Sequence, residues 1–205
     1  KKLNSKKNPK TFFVQISSGG VYGNHLNKKY KPWLEDDFLR PLSNYAKSKL
    51  EGENAAKNYI GPYLILRTDF YGINLFKKKR TLLSWIITNA KYKEKLIGWQ
   101  NIYFSPISAF KLCETLDKLL IKKVTGIFNI GSNKGCNKFE FVEKTCKYLD
   151  LKPNLSKKNV VSKIRPYYSI LNTQKIENII DFKCDWKKDL KIYLKSINKK
   201  LISDL

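Results

Sequence analysis

Residues 12–23 read Phe-Phe-Val-Gln-Ile-Ser-Ser-Gly-Gly-Val-Tyr-Gly, and they decide the fold class of this chain. The apolar run Phe12–Ile16 predicts a buried strand, and the serines and glycines that follow predict a loop where the strand ends. Further along, Ser43 is a typical N-cap for a helix reaching about Tyr59. A second apolar run, Tyr63–Arg67, predicts another strand, followed by a loop around Tyr71-Gly72. A strand, a helix and a strand in this order predict that the two strands are parallel.

The rest of the chain continues this alternation. Apolar residues at helical spacing predict further helices, and an apolar run between two glycines predicts another buried strand. The predicted segments are helices over 82–90, 109–120 and 139–149, a strand over 126–131, and two weaker helices over 173–180 and 187–200. The sequence therefore predicts an α/β layer fold with a parallel sheet.

The net charge is strongly positive. The 205 residues carry 41 lysines and arginines against 17 acids, a formal charge of +24. Such a charge is typical of nucleic-acid partners, but arginine is the usual reader of phosphate and guanine, and only four of the basic residues are arginine. The lysines are scattered along the chain. We therefore favour a solvated basic surface and expect no nucleic-acid partner.

The cysteines, the single histidine and the short apolar runs argue against a metal-binding protein and a membrane-spanning protein. The four cysteines form no Cys-x-x-Cys pair and His25 is the sole histidine, so we expect no metal site. A chain of this size can bury its own core, and we expect reduced thiols in a cytoplasmic protein. No apolar run approaches the roughly 18–20 residues that a membrane span needs, so we expect no membrane partner.

One group of residues suggests acid–base chemistry. Tyr45 and Lys49 stand four positions apart on one face of the predicted helix, so the ammonium can approach the phenol. A nearby cation lowers the pKa of a tyrosine, ordinarily about 10, and makes it a usable proton donor. The spacing alone is weak, because Tyr148 and Lys152 repeat it by chance. The prediction for Tyr45 is stronger because Ser18 lies at the end of the preceding strand, where open α/β sheets bind ligands.

Several motifs together resemble the extended short-chain dehydrogenase/reductases that act on nucleotide sugars, and within that family the reductases of 4-keto-6-deoxy sugars. The Ser-Ser-x-x-Val-Tyr-Gly segment resembles their serine-bearing strand end, and the segment from Tyr45 to Glu53 resembles their tyrosine helix. The motifs that carry the resemblance are residues 17–23, 45–53, 66–72, 103–108, 126–132 and 165–175.

The resemblance implies a fold and a cofactor. We expect the C-terminal part of a doubly wound, Rossmann-like parallel sheet with a small substrate-binding lobe. Residues 1–75 would belong to the Rossmann-like part and 76–205 mainly to the lobe, with 107–131 returning to the sheet. The cofactor would be NADP or NAD, the partner a nucleotide-sugar substrate, and the pathway polysaccharide biosynthesis, with a homodimer as a further expectation.

The resemblance also implies roles for single residues. Tyr45 would donate a proton to the sugar oxygen, Ser18 would bond the substrate carbonyl, and Lys49 would hold the nicotinamide ribose and lower the phenol's pKa. Arg165 would pair with the nucleotide diphosphate, although an ordinary surface arginine is the alternative. The residues implied for catalysis are Ser18, Tyr45 and Lys49, and those implied for cofactor binding are Ser17, Tyr45, Lys49, Thr68 and Phe70. The residues implied for substrate binding are Ser18, Gly19, Phe70 and Arg165. For Phe70 the alternative is packing in the core.

Two departures from the family pattern leave the exact function open. Gly19 stands where the reductases usually carry an acidic residue, and a glycine there is more like the epimerases, so the runner-up is a nucleotide-sugar epimerase. The sequence also has no Gly-x-Gly-x-x-Gly turn to hold a pyrophosphate, which implies that on the order of 80–90 residues of the family pattern precede it and that the chain alone is inactive. A non-catalytic, reductase-like binding subunit and a nucleic-acid binder are the remaining rival functions.

Overall fold

The computed structural model describes residues 11–26, 30–74, 81–92 and 94–197. The strands are β1 Phe13–Ser18, β2 Tyr63–Tyr71, β3 Lys95–Trp99, β4 Tyr103–Phe104, β5 Pro106–Ser108, β6 Gly126–Ile130, β7 Cys136–Asn137, β8 Asn154–Lys158 and β9 Tyr168–Ser169. The helices are α1 Asn44–Lys57, α2 Leu82–Lys91, α3 Ala109–Ile121, α4 Lys138–Tyr148, α5 Gln174–Glu177 and α6 Trp186–Ser196. A short 3₁₀ turn, Gly19–Tyr22, follows β1 directly.

The main sheet is parallel and has β2 at its centre. On one side β1 pairs with β2 in a register that sets Ser18 opposite Thr68. On the other side β6 pairs with the first part of β2 and β5 with its last residues. The carboxyl ends of parallel strands meet at one edge of the sheet, so Ser18 and Thr68 lie there together. The prediction of an α/β fold with a parallel sheet is confirmed.

Strand β2 is longer than predicted. The apolar pattern placed a loop around Tyr71, but β2 continues to that residue because Asp69 to Tyr71 pair with β5. The loop prediction was wrong because a strand can continue wherever a neighbour completes its backbone hydrogen bonds. Strands β5 and β6 lie in the main sheet. The division of the chain at residue 75 stays a prediction.

The helices follow the predicted pattern with small shifts. Helix α1 begins after Ser43, whose hydroxyl accepts a hydrogen bond from the backbone N–H of Ala46 (3.1 Å), and it ends two residues before Tyr59. Helix α5 is one turn long, shorter than the predicted 173–180. Helix α6 begins one residue before the predicted start, and the end predicted at residue 200 lies outside the described residues.

Two small sheets are absent from the sequence-based prediction. Strand β3 pairs with β8 in parallel, and β4 pairs with β7 in antiparallel and with β9 in parallel. Strands β4, β7 and β9 have two residues each, and β8 is largely polar. Neither a two-residue strand nor a largely polar one shows the apolar alternation from which strands are predicted.

Two large apolar clusters and a smaller one around Trp33 form the core of the part that the structure describes. One surrounds the main sheet and includes Leu64, Leu66 and Phe128. The second joins α2, α4 and α6 through residues that include Ile86 and Phe141. All four cysteines are free thiols. In the part of the chain that the structure describes, no helix combines the length and the apolar character of a membrane span.

A buried ion pair fixes α1 against the main sheet. Arg67 of β2 and Glu53 of α1 are 1% and 0% exposed, and their side chains make two hydrogen bonds, of 3.0 and 2.7 Å. The Ser17 hydroxyl donates to the same carboxylate at 2.5 Å, and Arg67 also donates to the Tyr22 hydroxyl at 2.9 Å. This network ties the helix that carries Tyr45 to the strand that carries Ser18.

Candidate active site

A cavity of about 940 Å³ opens at the carboxyl edge of the main sheet. Its wall includes residues from the ends of β1 and β2, from the start of α1, and from the segments around α4 and β9. Five residues predicted from the sequence lie on this wall, namely Ser18, Tyr45, Thr68, Phe70 and Arg165. Two further charged residues on the wall, Asp69 and Lys138, were not predicted.

Helix α1 brings the predicted phenol and ammonium to one face. The Lys49 ammonium lies 5.7 Å from the centre of the Tyr45 ring. Ser18 and Tyr45 both line the cavity, and the Ser18 hydroxyl is near enough to the phenol to lower its pKa, so the two groups meet there. The Tyr45 side chain is 60% exposed and can therefore be reached from the cavity.

The pKa of Tyr45 differs from the expectation. Burial and the Asp69 carboxylate raise it above its ordinary value of 10.0, and the nearby Ser18 hydroxyl opposes this rise only in part. The Lys49 ammonium meanwhile donates a hydrogen bond to the Ile16 carbonyl at 3.0 Å. In this structure the balance of neighbouring groups keeps the phenol protonated at neutral pH.

The remaining predicted residues divide between the cavity and the interior. The Ser17 hydroxyl points into the buried Glu53 network rather than into the cavity. Phe70 is 53% exposed on the wall, so it is not a plain core residue. The Arg165 guanidinium lies 5.1 Å from the centre of a Trp99 ring.

Thr68 has an unusual environment. Its side chain is 2% exposed and lies on the cavity wall, yet its hydroxyl has no hydrogen-bond partner among the described residues. A buried hydroxyl without a partner costs stability, and such groups commonly mark a functional position.

Asp69 brings a carboxylate into the site. It accepts hydrogen bonds from the backbone N–H groups of Gly19 and Ser105 and, at 3.3 Å, from the Ser169 hydroxyl. Burial raises the pKa of Asp69, and the nearby Lys138 ammonium and the three hydrogen bonds oppose this rise. The available signal was its position one residue beyond Thr68, at the edge where the carboxyl ends of parallel strands meet.

Lys138 is the first residue of α4, directly after the N-cap Asn137. Its ammonium lies 3.2 Å from the centre of the Phe104 ring. Burial lowers the pKa of Lys138 to about 8, against the opposing effect of Asp69. No pattern in the sequence distinguishes this lysine from the many others, so the sequence could not have revealed it.

Groups of metal ligands are not found in the described ranges. Within 11–26, 30–74, 81–92 and 94–197, no three or more His, Cys, Asp or Glu side chains are placed to hold a metal ion together. The cavity wall presents the hydroxyl, phenol, carboxylate and ammonium groups described above.

Comparison with known proteins gives consistent matches. The family model described as the RmlD substrate binding domain matches residues 5–199. The dTDP-4-dehydrorhamnose reductase of Escherichia coli K12 is 25% identical over 182 residues, which are 81% of this chain and 60% of that protein. The chain thus spans about 60% of the length of this curated relative.

Solved structures show the same architecture. The crystal structure of a dTDP-4-dehydrorhamnose reductase from Clostridium acetobutylicum superposes with a TM-score of 0.78 at 26% identity, covering 89% of this chain and 64% of that one. The Bacillus anthracis dTDP-4-dehydrorhamnose reductase, solved in complex with NADP, gives a TM-score of 0.79 at 23% identity over 90% of this chain and 65% of that one.

Proposed function

Since this chain belongs to the RmlD substrate-binding domain family, we propose that it carries the acid–base residues and the sugar-nucleotide cavity of an NAD(P)-dependent reductase of 4-keto-6-deoxy nucleotide sugars. The observation that supports this most is the meeting of the Ser18 hydroxyl and the Tyr45 phenol at one cavity, with Lys49 on the same helix face. The relatives named dTDP-4-dehydrorhamnose reductase support the choice of substrate class.

The proposed chemistry divides among three side chains. Ser18 and Tyr45 both direct hydroxyl groups to the oxygen of the bound ketone, where negative charge develops during reduction. Tyr45 then transfers its proton to that oxygen, because its raised pKa keeps it protonated until the oxygen becomes basic. Lys49 fixes the end of β1 through the Ile16 carbonyl and presents a positive charge beside the Tyr45 ring.

The residues on the wall fit the nicotinamide end of the cofactor. Thr68 lines the cavity, and its buried hydroxyl has no partner among the described residues, so this hydroxyl is available to bond a polar group of a ligand. Phe70 offers an exposed ring on the same wall. When bound, NADPH or NADH supplies the hydride that reduces the keto carbon. Roles for Ser17 in cofactor binding and for Gly19 in substrate binding are less well supported, because Ser17 faces the buried network and Gly19 does not line the cavity.

An epimerase is the second candidate, and Gly19 is the observation that favours it. The Asp69 carboxylate weakens this argument, because it is hydrogen-bonded to the backbone of Gly19 and supplies an acidic group beside that position. The two functions differ in net cofactor consumption: a reductase oxidises one NAD(P)H for each sugar reduced, whereas an epimerase regenerates its cofactor.

A direct experiment joins this chain to the dinucleotide-binding half of the E. coli relative and follows NADPH oxidation with dTDP-4-dehydrorhamnose. We expect steady NADPH consumption that falls by about 10²- to 10⁴-fold in Tyr45→Phe, since the proton donor is lost. Tyr148→Phe is the matched control, because Tyr148 and Lys152 repeat the spacing away from the cavity. Equal loss in both variants, or turnover preserved in Tyr45→Phe, argues against the proposal.

Three further expectations stay predictions. They are the formation of a homodimer, a cytoplasmic location, and the absence of a nucleic-acid partner. The last is tested by measuring duplex DNA binding at rising salt, because electrostatic binding to DNA weakens steeply as salt increases.

A further inference from the structure

Two cations lie on the cavity wall without an anionic partner in contact. Lys138 and Arg165 both border the cavity, and neither takes part in any ion pair formed among the described residues. Instead, the ammonium and the guanidinium lie against the rings of Phe104 and Trp99. They are close enough that Arg165 itself depresses the pKa of Lys138.

The one carboxylate of the described wall is already engaged. Asp69 accepts hydrogen bonds from Gly19, Ser105 and Ser169, so much of its capacity as an acceptor is used inside the protein. Two positive groups and one engaged negative group leave this part of the wall with an excess of positive charge. Such a wall attracts an anionic ligand.

The position of Lys138 is unfavourable for a cation that has only a structural role. It occupies the first turn of α4, where the helix dipole disfavours positive charge. It is also partly removed from water, which penalises the ammonium further. A bound phosphate oxygen would compensate both effects, because a charge-assisted hydrogen bond is roughly twice as strong as a neutral one.

We propose that Lys138 binds the substrate diphosphate together with Arg165, with Lys138 on the phosphate nearest the sugar and Arg165 on the outer one. This inference rests on the proposed function, whose substrate carries a diphosphate. The order follows from the neighbours of each cation. Lys138 interacts with Asp69, which is bonded to Gly19 beside Ser18, whereas Arg165 interacts with Lys138 and lies against the Trp99 ring.

The titration of Lys138 gives the site a characteristic pH dependence. Its neighbours from other elements are Asp69 on β2, Cys136 on β7 and Arg165 before β9. With a pKa of about 8, the ammonium is charged below that pH and loses its proton above it. Affinity for a diphosphate should therefore fall as the pH rises from about 7 to about 9, whereas arginine at the same position would stay charged.

The test is isothermal titration calorimetry of the full chain with dTDP-glucose, UDP-glucose and GDP-mannose as probes. These are phosphate diesters and lack the titration near pH 6 that a terminal phosphate has, so their charge stays constant over the range used. We expect Lys138→Gln to weaken binding of the preferred probe about 10-fold or more. Lys138→Arg should bind as well as the unchanged chain near pH 7 and keep its affinity near pH 9.

Lys147→Gln is the matched control, because it removes the same charge from an exposed position on the same helix. Its affinity should equal that of the unchanged chain. The proposal is overturned if Lys138→Gln binds as the unchanged chain does, if Lys138→Arg keeps the pH dependence, or if the unchanged chain binds none of the probes. The measurement needs no nicotinamide cofactor. Probe binding that depends on Lys138, together with no NADPH oxidation by the joined enzyme, would therefore reject the reductase function and leave the diphosphate site in place.

Discussion

The carboxylate of Asp69 occupies the space into which a side chain at Gly19 would project. A Cβ atom added to Gly19 would lie 2.9 Å from Oδ2 and 3.1 Å from Oδ1 of Asp69, closer than such atoms normally approach. In this chain the neighbouring strand supplies a carboxylate beside the same position, so residues 19 and 69 should be coupled.

The first prediction tests this coupling. Gly19→Asp should lower the free energy of unfolding by about 2 kcal/mol or more, because it crowds two carboxylates into one site. Adding Asp69→Ser to that variant should recover about 1–3 kcal/mol, since the two positions share one space. Urea denaturation of both single variants and the double variant gives the coupling energy. Strictly additive effects would show that the two side-chain positions are independent.

The second prediction concerns the buried pair between Glu53 and Arg67. Glu53→Gln should cost about 3–5 kcal/mol, because it leaves a buried guanidinium without its counter-charge. Glu114→Gln is the control, since it breaks the exposed pair with Lys111 and should cost no more than about 1 kcal/mol. Urea denaturation followed by tryptophan fluorescence measures both. If the two costs were equal, the network would have no special part in holding α1 on the sheet.

The third prediction is a pH dependence that arises from Asp69. Its pKa in the folded state lies above the ordinary value of 3.8, so the folded chain holds this proton more tightly than the unfolded chain does. The stability linked to that proton is fully present below the ordinary pKa and is lost as the pH rises through the folded-state pKa. Asparagine does not titrate.

Stability of Asp69→Asn relative to the unchanged chain should therefore rise between about pH 4 and neutrality. Titrating groups that do not interact with Asp69 are common to both chains and cancel in the comparison. The quantity to measure is the difference in unfolding free energy at several pH values. A difference that stays constant with pH, or that changes in the opposite direction, contradicts the raised pKa.

The fourth prediction separates stability from function at Thr68. Thr68→Val keeps the shape of the side chain and removes a buried hydroxyl that has no partner among the described residues. The free energy of unfolding should therefore rise by about 1 kcal/mol. If the hydroxyl bonds the cofactor as proposed, the KM for NADPH in the joined enzyme should rise about 10-fold. An unchanged KM would leave Thr68 without a role in cofactor binding.

The sequence predicted those parts of the molecule that local patterns determine. The strand ending at Ser18, the N-cap at Ser43 and the helix with Tyr45 and Lys49 all follow from apolar spacing and capping chemistry. The family resemblance is also confirmed by the match to residues 5–199. These features lie within short stretches of chain, so a linear pattern contains the information.

Features that depend on distant contacts were not predicted. The extension of β2 to Tyr71 depends on pairing with β5, which is formed from residues 106–108. Asp69 became a site residue only because the register of two strands brings it beside Gly19, and Lys138 because the fold turns one lysine among many towards the cavity. The pKa of Tyr45 likewise reflects burial and the Asp69 carboxylate, neither of which can be predicted from the helical spacing to Lys49.

The hydrogen bonds of Asp69 have a consequence for the exchange of segments between relatives. Its three donors come from residues 19, 105 and 169, which lie far apart in the chain. A chimera joined near residue 75 would transplant the carboxylate without two of these donors. Any exchange of segments among such proteins should therefore keep positions 19, 69, 105 and 169 together, although no continuous stretch of sequence contains them.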